Sequence, residues 1–229
     1  MPTVVFLSSK GGAGKSTAAL VLALGLARRA QRVAIVDADP NLPLYRWGAL
    51  ADKPANIMVF GSTSAEELRD VLPFAGTWAD WVIVDTEGSM RSRHLVPVIA
   101  PDLALIPLGP SPLEGLEAIR TSRSLKEMAQ DGHPLVPHAC VFTRLPAAIR
   151  PRSFSQVVGQ LKAEGIPIVE TPLIEKEAFR AIFASGGGLD TLDPSRVSGL
   201  EAARINAEHY AANIHDFFRR PGPGVAQAA

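Results

Sequence analysis

The sequence has few of the residues that crosslink small secreted domains or bind metal clusters. Its 229 residues include one cysteine, Cys140, and aromatic residues make up only 6% of the chain. A single cysteine excludes an intrachain disulfide framework and a multi-cysteine metal site. Lys and Arg together number 23, as do Asp and Glu, so the formal net charge is zero. Any binding to nucleic acid must therefore depend on a local basic patch.

Long apolar runs are also missing. No run approaches the roughly 18 residues that cross a bilayer, and the first residues lack the charged-then-apolar pattern of a secretory leader. We therefore expect a soluble, cytoplasmic protein. Hydrophobic residues make up 47% and charged residues 20%, which suits one large α/β domain with a proper core. We expect this domain over residues 1–220 and a disordered tail over 221–229, which begins Pro-Gly-Pro-Gly.

Short apolar runs alternate with helical segments along the chain. The runs predict buried strands over residues 3–7, 32–36, 57–60, 81–84, 103–107, 139–142 and 166–169. Capping residues and helical composition predict helices over residues 18–30, 64–72, 153–164 and 193–218, and a long one from residue 112. Apolar strands separated by helices predict an α/β fold, a doubly wound and mostly parallel sheet with helices on both faces.

A glycine-rich segment, residues 10–17 (KGGAGKST), lies between the first predicted strand and the first predicted helix. Its small residues Gly11 to Gly14 allow consecutive backbone N–H groups to converge on phosphate oxygens, next to the positive end of the helix dipole. At this spacing Lys15 is expected along the outer phosphates and the Ser16 hydroxyl on Mg²⁺, with Thr17 near the inner phosphates. The segment predicts a nucleoside triphosphate site in a phosphate-loop NTPase.

Three aspartates follow predicted strands, namely Asp37, Asp39 and Asp85. Because the carboxyl ends of parallel strands share one sheet edge, we expect all three beside the phosphate loop. Asp85 is expected to hold Mg²⁺ through water with Asp37 in the same shell, and Asp39 to orient the attacking water. A single aspartate after a strand is about as often a turn or cap residue. Three at one edge favour a catalytic site.

These motifs resemble the ParA/MinD family of deviant phosphate-loop ATPases, and the resemblance covers nearly the whole chain. It rests on residues 10–17, 36–40 (VDADP), Trp47, 82–85 (VIVD), 105–107 (LIP) and 110–112 (PSP). It implies ATP and Mg²⁺ as cofactors, slow hydrolysis of ATP to ADP and phosphate, and a homodimer in the ATP state. Lys10 would be the signature lysine that reaches the partner's phosphates. Thr143 and Arg144 resemble the segment that packs on adenine, and Pro172 lies in a second adenine-side loop.

The chain departs from the family pattern at several positions. Ser9 stands where an ordinary phosphate loop has its first glycine. Asn41 and Leu42 follow Asp39 and Pro40 where many ParA proteins have glutamine and glycine. The first strand is predicted from residue 3, so we expect no N-terminal helix-turn-helix domain and no operator-specific DNA binding.

Three functions fit this resemblance. The first is an ATPase that binds DNA non-specifically, associates with the nucleoid and positions a plasmid, transfer DNA or protein cluster, with a ParB-like or other adaptor that stimulates hydrolysis. Its DNA contacts would come from local arginines, for which the candidates are Arg91, Arg93, Arg180, Arg196, Arg204, Arg219 and Arg220.

The second function is a MinD-like membrane-associated switch, for which residues 215–220 are a poor anchor because Pro221 cuts the segment short. We expect no stable membrane insertion. The third is a metabolic enzyme of the dethiobiotin synthetase type, which lacks the signature lysine. An enzyme like the nitrogenase iron protein would need more cysteines than this chain has.

Overall fold

The strands form one parallel sheet in a computed structural model that describes residues 1–50, 52–147 and 152–219. The sheet has six strands in the order β3-β2-β4-β1-β5-β6. Their bounds are Thr3–Ser8 (β1), Val33–Ala38 (β2), Ile57–Gly61 (β3), Trp81–Gly88 (β4), Leu103–Leu108 (β5) and His138–Phe142 (β6). From β1 the chain passes through β2 to β3 at one edge, returns to β4 between β1 and β2, and then passes through β5 to β6 at the other edge, so the predicted doubly wound α/β fold is confirmed.

Helices cover both faces of this sheet. They are α1 (Lys15–Arg28), α2 (Pro43–Gly48), α3 (Ala65–Trp78), α4 (Val96–Ile99), α5 (Pro112–Gln130), α6 (Arg152–Ala163), α7 (Glu177–Ser185) and α8 (Leu200–Arg219), with a 3₁₀ helix at Met90–Leu95. Two predicted caps are confirmed, because the side chain of Ser64 accepts a hydrogen bond from the backbone of Glu67 and that of Ser111 from Glu114.

The alternation of side chains along the strands divides the core into layers. In β1, Val4 and Phe6 pack with α1 and α8 on one face, whereas Val5 and Leu7 pack with α3 and α4 on the other. Helix α1 is buried along most of its length because α8 covers it. The two helices meet at Gly25, where an added Cβ would lie 2.4 Å from the Cβ of Ala211.

Two predicted elements are wrong. Residues 166–169 form no strand and contribute one parallel bridge, between Ile168 and Cys140, because Pro167 has no N–H to extend the ladder. The last helix begins at Leu200 rather than at residue 193. The side chain of Asp193 instead caps an isolated turn, and Gly199, with φ of +65°, separates this turn from α8.

Some predictions cannot be compared with the structure. The predicted tail, residues 221–229, and Arg220 lie outside the described residues. Within the described part of the chain, none of the helices combines the length and hydrophobicity needed to cross a membrane.

Candidate nucleotide site

The loop between β1 and α1 has the geometry of an anion cradle. Gly12 and Gly14 adopt φ values of +79° and +83°, which other residues rarely adopt. A Cβ added at Gly11 or Gly12 would meet no atom within 4 Å, so the space above the loop is open. Helix α1 begins directly after Gly14 without a side-chain cap, which leaves the N–H groups of its first turn available to a ligand.

The end of β4 closes the outer side of this loop. A Cβ at Gly88 would lie 2.6 Å from the Cα of Gly11, so the two backbones touch and only glycine fits there. One residue further, Lys10 and Ser89 form an isolated antiparallel bridge. The loop is therefore held by the strand that also carries Asp85.

The two lysines of the motif occupy opposite environments. Lys15 is 6% exposed, and burial lowers its pKa, while the nearby carboxylates of Asp85, Asp39 and Glu87 act in the other direction. Lys10 is exposed, and no carboxylate among the described residues forms an ion pair with its ammonium. Lys15 thus lies buried among carboxylates of its own chain, whereas the Lys10 ammonium is exposed and could contact an anionic group of a ligand or of another molecule.

Asp37 and Asp85 lie side by side in the β2–β4 register, both fully buried. One carboxylate oxygen of Asp37 accepts hydrogen bonds from the backbone N–H groups of Leu44 (2.7 Å) and Tyr45 (2.9 Å), and the other from Asp39 (3.2 Å). Burial raises the pKa of Asp37 and these bonds oppose the rise. They show that Asp37 holds the start of α2, while its place in a metal shell stays a prediction.

Neither carboxylate oxygen of Asp85 has a hydrogen-bond partner in the structure. Burial raises the pKa of Asp85 to about 7, and the nearby Ser16 hydroxyl and Lys15 ammonium only partly offset this rise. A buried carboxylate without donors is costly unless a ligand or ion completes its environment. Of the aspartates at this edge, Asp85 is therefore the one whose carboxylate would be stabilised by a bound ion or ligand.

The chemistry of these side chains fits Mg²⁺ bound together with a nucleotide. Among the described residues, no three His, Cys, Asp or Glu side chains cluster as a ready-made metal site. Mg²⁺ at a nucleotide keeps several waters and needs only one or two protein ligands besides phosphate. The Ser16 hydroxyl and the orphaned Asp85 carboxylate supply that small set at the mouth of the phosphate loop.

Asp39 lies at the rim of the same site and is partly exposed. One of its oxygens accepts hydrogen bonds from the backbone N–H and the side-chain amide of Asn41, at 2.8 and 3.0 Å. Asn41, which stands where many ParA proteins have glutamine, therefore helps to fix the position of the Asp39 carboxylate. Its position near Lys15 is compatible with the predicted role in orienting water.

A cleft of about 110 Å³ lies on the opposite side of the loop, where the resemblance implies an adenine-side pocket. It is lined by Gly14, Thr17, Thr143, Arg144, residues 173–176, Phe179 and Arg180. Pro172 is not in the lining, and its carbonyl accepts a hydrogen bond from the Asn206 amide at 2.8 Å. The predicted adenine-side segments thus meet, but the second contributes the residues after Pro172.

The contacts of Thr143 and Arg144 differ from simple packing on a base. The Thr143 hydroxyl donates to the carbonyl of Ala13 at 2.8 Å and lies against Gly14, so it fixes the phosphate loop. The Arg144 guanidinium pairs with Glu114 of α5 at 2.7 Å. Sequence reasoning assigned Glu114 only to the cap of this helix and did not predict its pair with Arg144, which joins residues 30 positions apart.

The candidate DNA-contacting arginines are spread over several elements of the described chain, and most of those whose side chains are described have internal partners. Arg180 pairs with Glu175 and Glu177, Arg196 with Asp193, and Arg204 with Asp190 and Glu201. Arg93 donates to the Ser124 hydroxyl at 2.9 Å. Arg91 is exposed, and no ion pair involves it within the described residues. The side chain of Arg219 lies outside the described set.

Comparison with known proteins identifies the family. The model of the VirC1 protein family matches residues 1–220. Protein ParA of Rhizobium radiobacter is 36% identical over 218 residues, which are 93% of this chain and 96% of that protein.

Solved structures share the fold. Apo McdA of Cyanothece superposes with a TM-score of 0.75 at 18% identity, covering 93% of this chain and 99% of McdA. MinD of Pyrococcus horikoshii, solved with Mg-ADP, gives a TM-score of 0.72 at 14% identity, covering 95% and 97% of the two chains. The chain therefore belongs to the VirC1 family, within the ParA/MinD-type deviant Walker ATPases.

Proposed function

We propose that this protein is an ATP-driven switch that dimerises with Mg-ATP bound, hydrolyses ATP slowly and positions a cargo on DNA. The observation that carries the proposal is the contrast between its two loop lysines. Lys15 is buried beside the carboxylates of its own site, whereas Lys10 is exposed and lacks an ion-pair partner in the described structure. One cation serves the protomer's own nucleotide, and the other is available to a second copy.

Within one protomer, the backbone of Gly11, Gly12, Ala13 and Gly14 would surround the phosphates, with Lys15 and Thr17 adding side-chain contacts. Ser16 and Asp85, with Asp37 behind them, would hold Mg²⁺, which supplies charge neutralisation at the phosphates. Asp39 would orient the attacking water. Thr143, Arg144 and the loop at Pro172 would bound the adenine. The Mg-ADP in the MinD structure supports this choice of cofactor.

Dimerisation follows from the charge of the ligand. Two triphosphates buried face to face repel each other, and a Lys10 from each partner would offset that charge only while the third phosphate is present. Exposed apolar side chains on the elements next to Lys10 support a covered surface: Met90 (42% exposed), Leu113 (57%) and Leu116 (48%). Hydrolysis would then remove the main reason to stay associated.

Sedimentation of the protein with and without Mg-ATP tests this model. The wild type should form a dimer with Mg-ATP, and Lys15→Ala should lose nucleotide binding by at least about a hundredfold, the scale of losing a buried charge-assisted contact. Lys10→Ala should still bind nucleotide but stay monomeric. Asp39→Ala should form a stable dimer with slowed hydrolysis; if it remains monomeric with ATP, the role assigned to Asp39 is wrong.

DNA binding is proposed through local arginines, and the contacts now favour Arg91 and Arg93 over the arginines that have carboxylate partners. Phosphate contacts make binding fall steeply with salt. The ATP-bound dimer should be retained on duplex DNA at low salt, and Arg91→Glu should weaken retention about tenfold more than Arg69→Glu on α3. If the ATP-bound wild type shows no salt-sensitive retention, this part of the proposal fails.

The cargo is expected to act through an adaptor of the ParB type that stimulates hydrolysis, and the ATP-bound form would be nucleoid-associated. Stable membrane insertion is not proposed. At the end of α8, the ring of Phe218 packs against that of Trp81, with centroids 5.0 Å apart, and the ring of His215 lies 5.8 Å from that of Trp81. Phe218 is therefore not available to a membrane, which leaves Phe217 as the exposed ring at this end of the described helix. Flotation with acidic vesicles and ATP should leave the protein at the bottom of the gradient.

A further inference from the structure

We infer that Glu117 on α5, acting through Ser9, is a positioning residue for Lys10; this inference rests on the proposed role of Lys10 in the dimer. The Ser9 hydroxyl donates a hydrogen bond of 2.6 Å to one carboxylate oxygen of Glu117. The other carboxylate oxygen of Glu117 pairs with Arg120 at 2.6 Å. Hydrogen bonds to a charged acceptor are roughly twice as strong as neutral ones. The bond therefore ties the first residue of the loop to a long helix.

The backbone of Lys10 has further contacts, with Ser8 and with Ser89 at the end of β4, and none of these comes from α5. The Ser8 hydroxyl donates to the Lys10 carbonyl at 2.8 Å and accepts its N–H at 3.2 Å, and Ser89 bridges to it from β4. Ser9 is the one residue between Ser8 and Lys10, so its side chain controls the peptide from which Lys10 projects. The bond to Glu117 supplies the anchor from the α5 side.

The partners of Glu117 in the described structure are Ser9 and Arg120 rather than Lys10. Both oxygens of Glu117 already have partners, Ser9 and Arg120, although the carboxylate lies at the same small cavity as Lys10. This cavity, of about 100 Å³, lies between the phosphate loop and α5. Glu117 therefore contacts the loop through the Ser9 hydroxyl and not through the Lys10 ammonium. The outer face of α5 also carries Leu113 and Leu116, so the partner surface and the loop are joined by one rigid helix.

The contacts suggest two informative variants and two controls. Ser9→Ala removes the donor and Glu117→Ala removes the acceptor, whereas Ser9→Thr keeps the hydroxyl. Glu127→Ala, an exposed glutamate on the same helix, is the matched control. We call the Ser9–Glu117 hydrogen bond the tether. Hydrogen exchange of the backbone amides of Lys10 and Gly11, measured without nucleotide, reports on the tether independently of any dimer. We expect exchange about tenfold faster in Ser9→Ala and Glu117→Ala, the effect of losing one charge-assisted hydrogen bond, and unchanged in the two controls.

With Mg-ATP, both variants should weaken the dimer about tenfold while nucleotide affinity changes less than about twofold. Their double mutant should be no weaker than either single one, because the two residues act through one bond. Wild-type exchange and dimerisation in both variants would overturn the inference. An equal loss of nucleotide affinity and dimer affinity would also overturn it, since the tether would then merely stabilise the loop.

The failure of this inference can be told from the failure of the proposed function. If Lys10→Ala dimerises like the wild type, the role of Lys10 in the dimer is wrong, whatever Ser9 does. If Lys10→Ala stays monomeric but Ser9→Ala and Glu117→Ala dimerise normally, only the positioning role is wrong. The amide exchange of the nucleotide-free protein tests the tether in either case.

Discussion

The ends of β2 and β4 carry two buried carboxylates in one register, and the structure treats them in opposite ways. Asp37 accepts three backbone hydrogen bonds and holds the start of α2. Asp85, paired with it across the sheet, accepts none, and its pKa rises to about 7. Both carboxylates are fully buried, and Asp85 lacks the backbone donors that surround Asp37. The first carboxylate stabilises the start of α2, and the second has the surroundings that we propose for a ligand of Mg²⁺.

The nearby ammonium of Lys15 does not bring the pKa of Asp85 back to its ordinary value. Lys15 is itself buried, and its desolvation lowers its own pKa. Two desolvated groups of opposite sign attract each other but do not recover all the hydration that they lost. Binding of Mg-nucleotide at this site is therefore expected to stabilise the fold.

The largest expected effect comes from Asp85→Asn. Loss of the carboxylate should reduce Mg²⁺-dependent ATP hydrolysis by at least about a hundredfold, because the metal loses its charged protein ligand. Stability without nucleotide should not fall, since an unpaired buried charge has been removed. Steady-state assays measure the rate of ATP hydrolysis, and chemical denaturation measures the free energy of unfolding. A variant that loses stability but keeps its activity would reverse the roles assigned to the two aspartates.

The pH dependence of stability sharpens the same contrast. A carboxyl whose pKa rises from 3.8 to about 7 on folding binds its proton more tightly in the folded state. Its contribution to stability is complete below pH 4 and is lost as pH rises through about 7, by up to about 4 kcal/mol. Asp85→Asn should flatten this part of the profile. Parallel profiles for wild type and variant, from denaturation between pH 5 and 8, would contradict this expectation.

Asp37→Ala should show the opposite pattern to Asp85→Asn. The change removes the acceptor for two backbone N–H groups at the start of α2, those of Leu44 and Tyr45, and for the N–H of Asp39, which should cost about 2 kcal/mol of unfolding free energy. Asp37→Asn, which keeps one acceptor oxygen, should lose less. Denaturation at pH 7 measures both variants. If Asp37→Ala is as stable as the wild type, the hydrogen bonds of Asp37 do not hold the start of α2.

The smallest effect is expected for Thr143→Val. The substitution removes the hydrogen bond to the Ala13 carbonyl but keeps the side-chain shape, which should weaken nucleotide binding about fivefold. Thr143→Ser, with its hydroxyl intact, is the control. Equilibrium titration with a fluorescent ATP analogue measures the affinities. An unchanged affinity in Thr143→Val would mean that the loop does not depend on this anchor.

Much of the fold could be predicted from the sequence because its signals are local. Each of the six strands contains an unbroken run of at least four apolar residues, and β3 is predicted among them although it is partly exposed. The phosphate loop and the strand-end aspartates are recognised by spacing. Helix α2 is missed because it has only six residues and depends on Asp37, which lies outside it. Its buried Trp47 is recognised only through the family resemblance.

The roles of individual site residues were harder to predict, because they depend on contacts distant in sequence. The bond between Ser9 and Glu117 joins residues 108 positions apart. The anchoring of Ala13 by Thr143 spans 130 positions. The different surroundings of Asp37 and Asp85 also depend on α2 folding back onto the end of β2. No spacing rule distinguishes the two carboxylates in advance.

The most direct test of the central claim is a crystal structure of Asp39→Ala with Mg²⁺ and ATP. We expect two protomers facing each other across two nucleotides, with the ammonium of each Lys10 within hydrogen-bond distance of the partner's nucleotide. We also expect Mg²⁺ within reach of Asp85, directly or through one water. Separate protomers with bound nucleotide, and Lys10 directed into solvent, would contradict the claim.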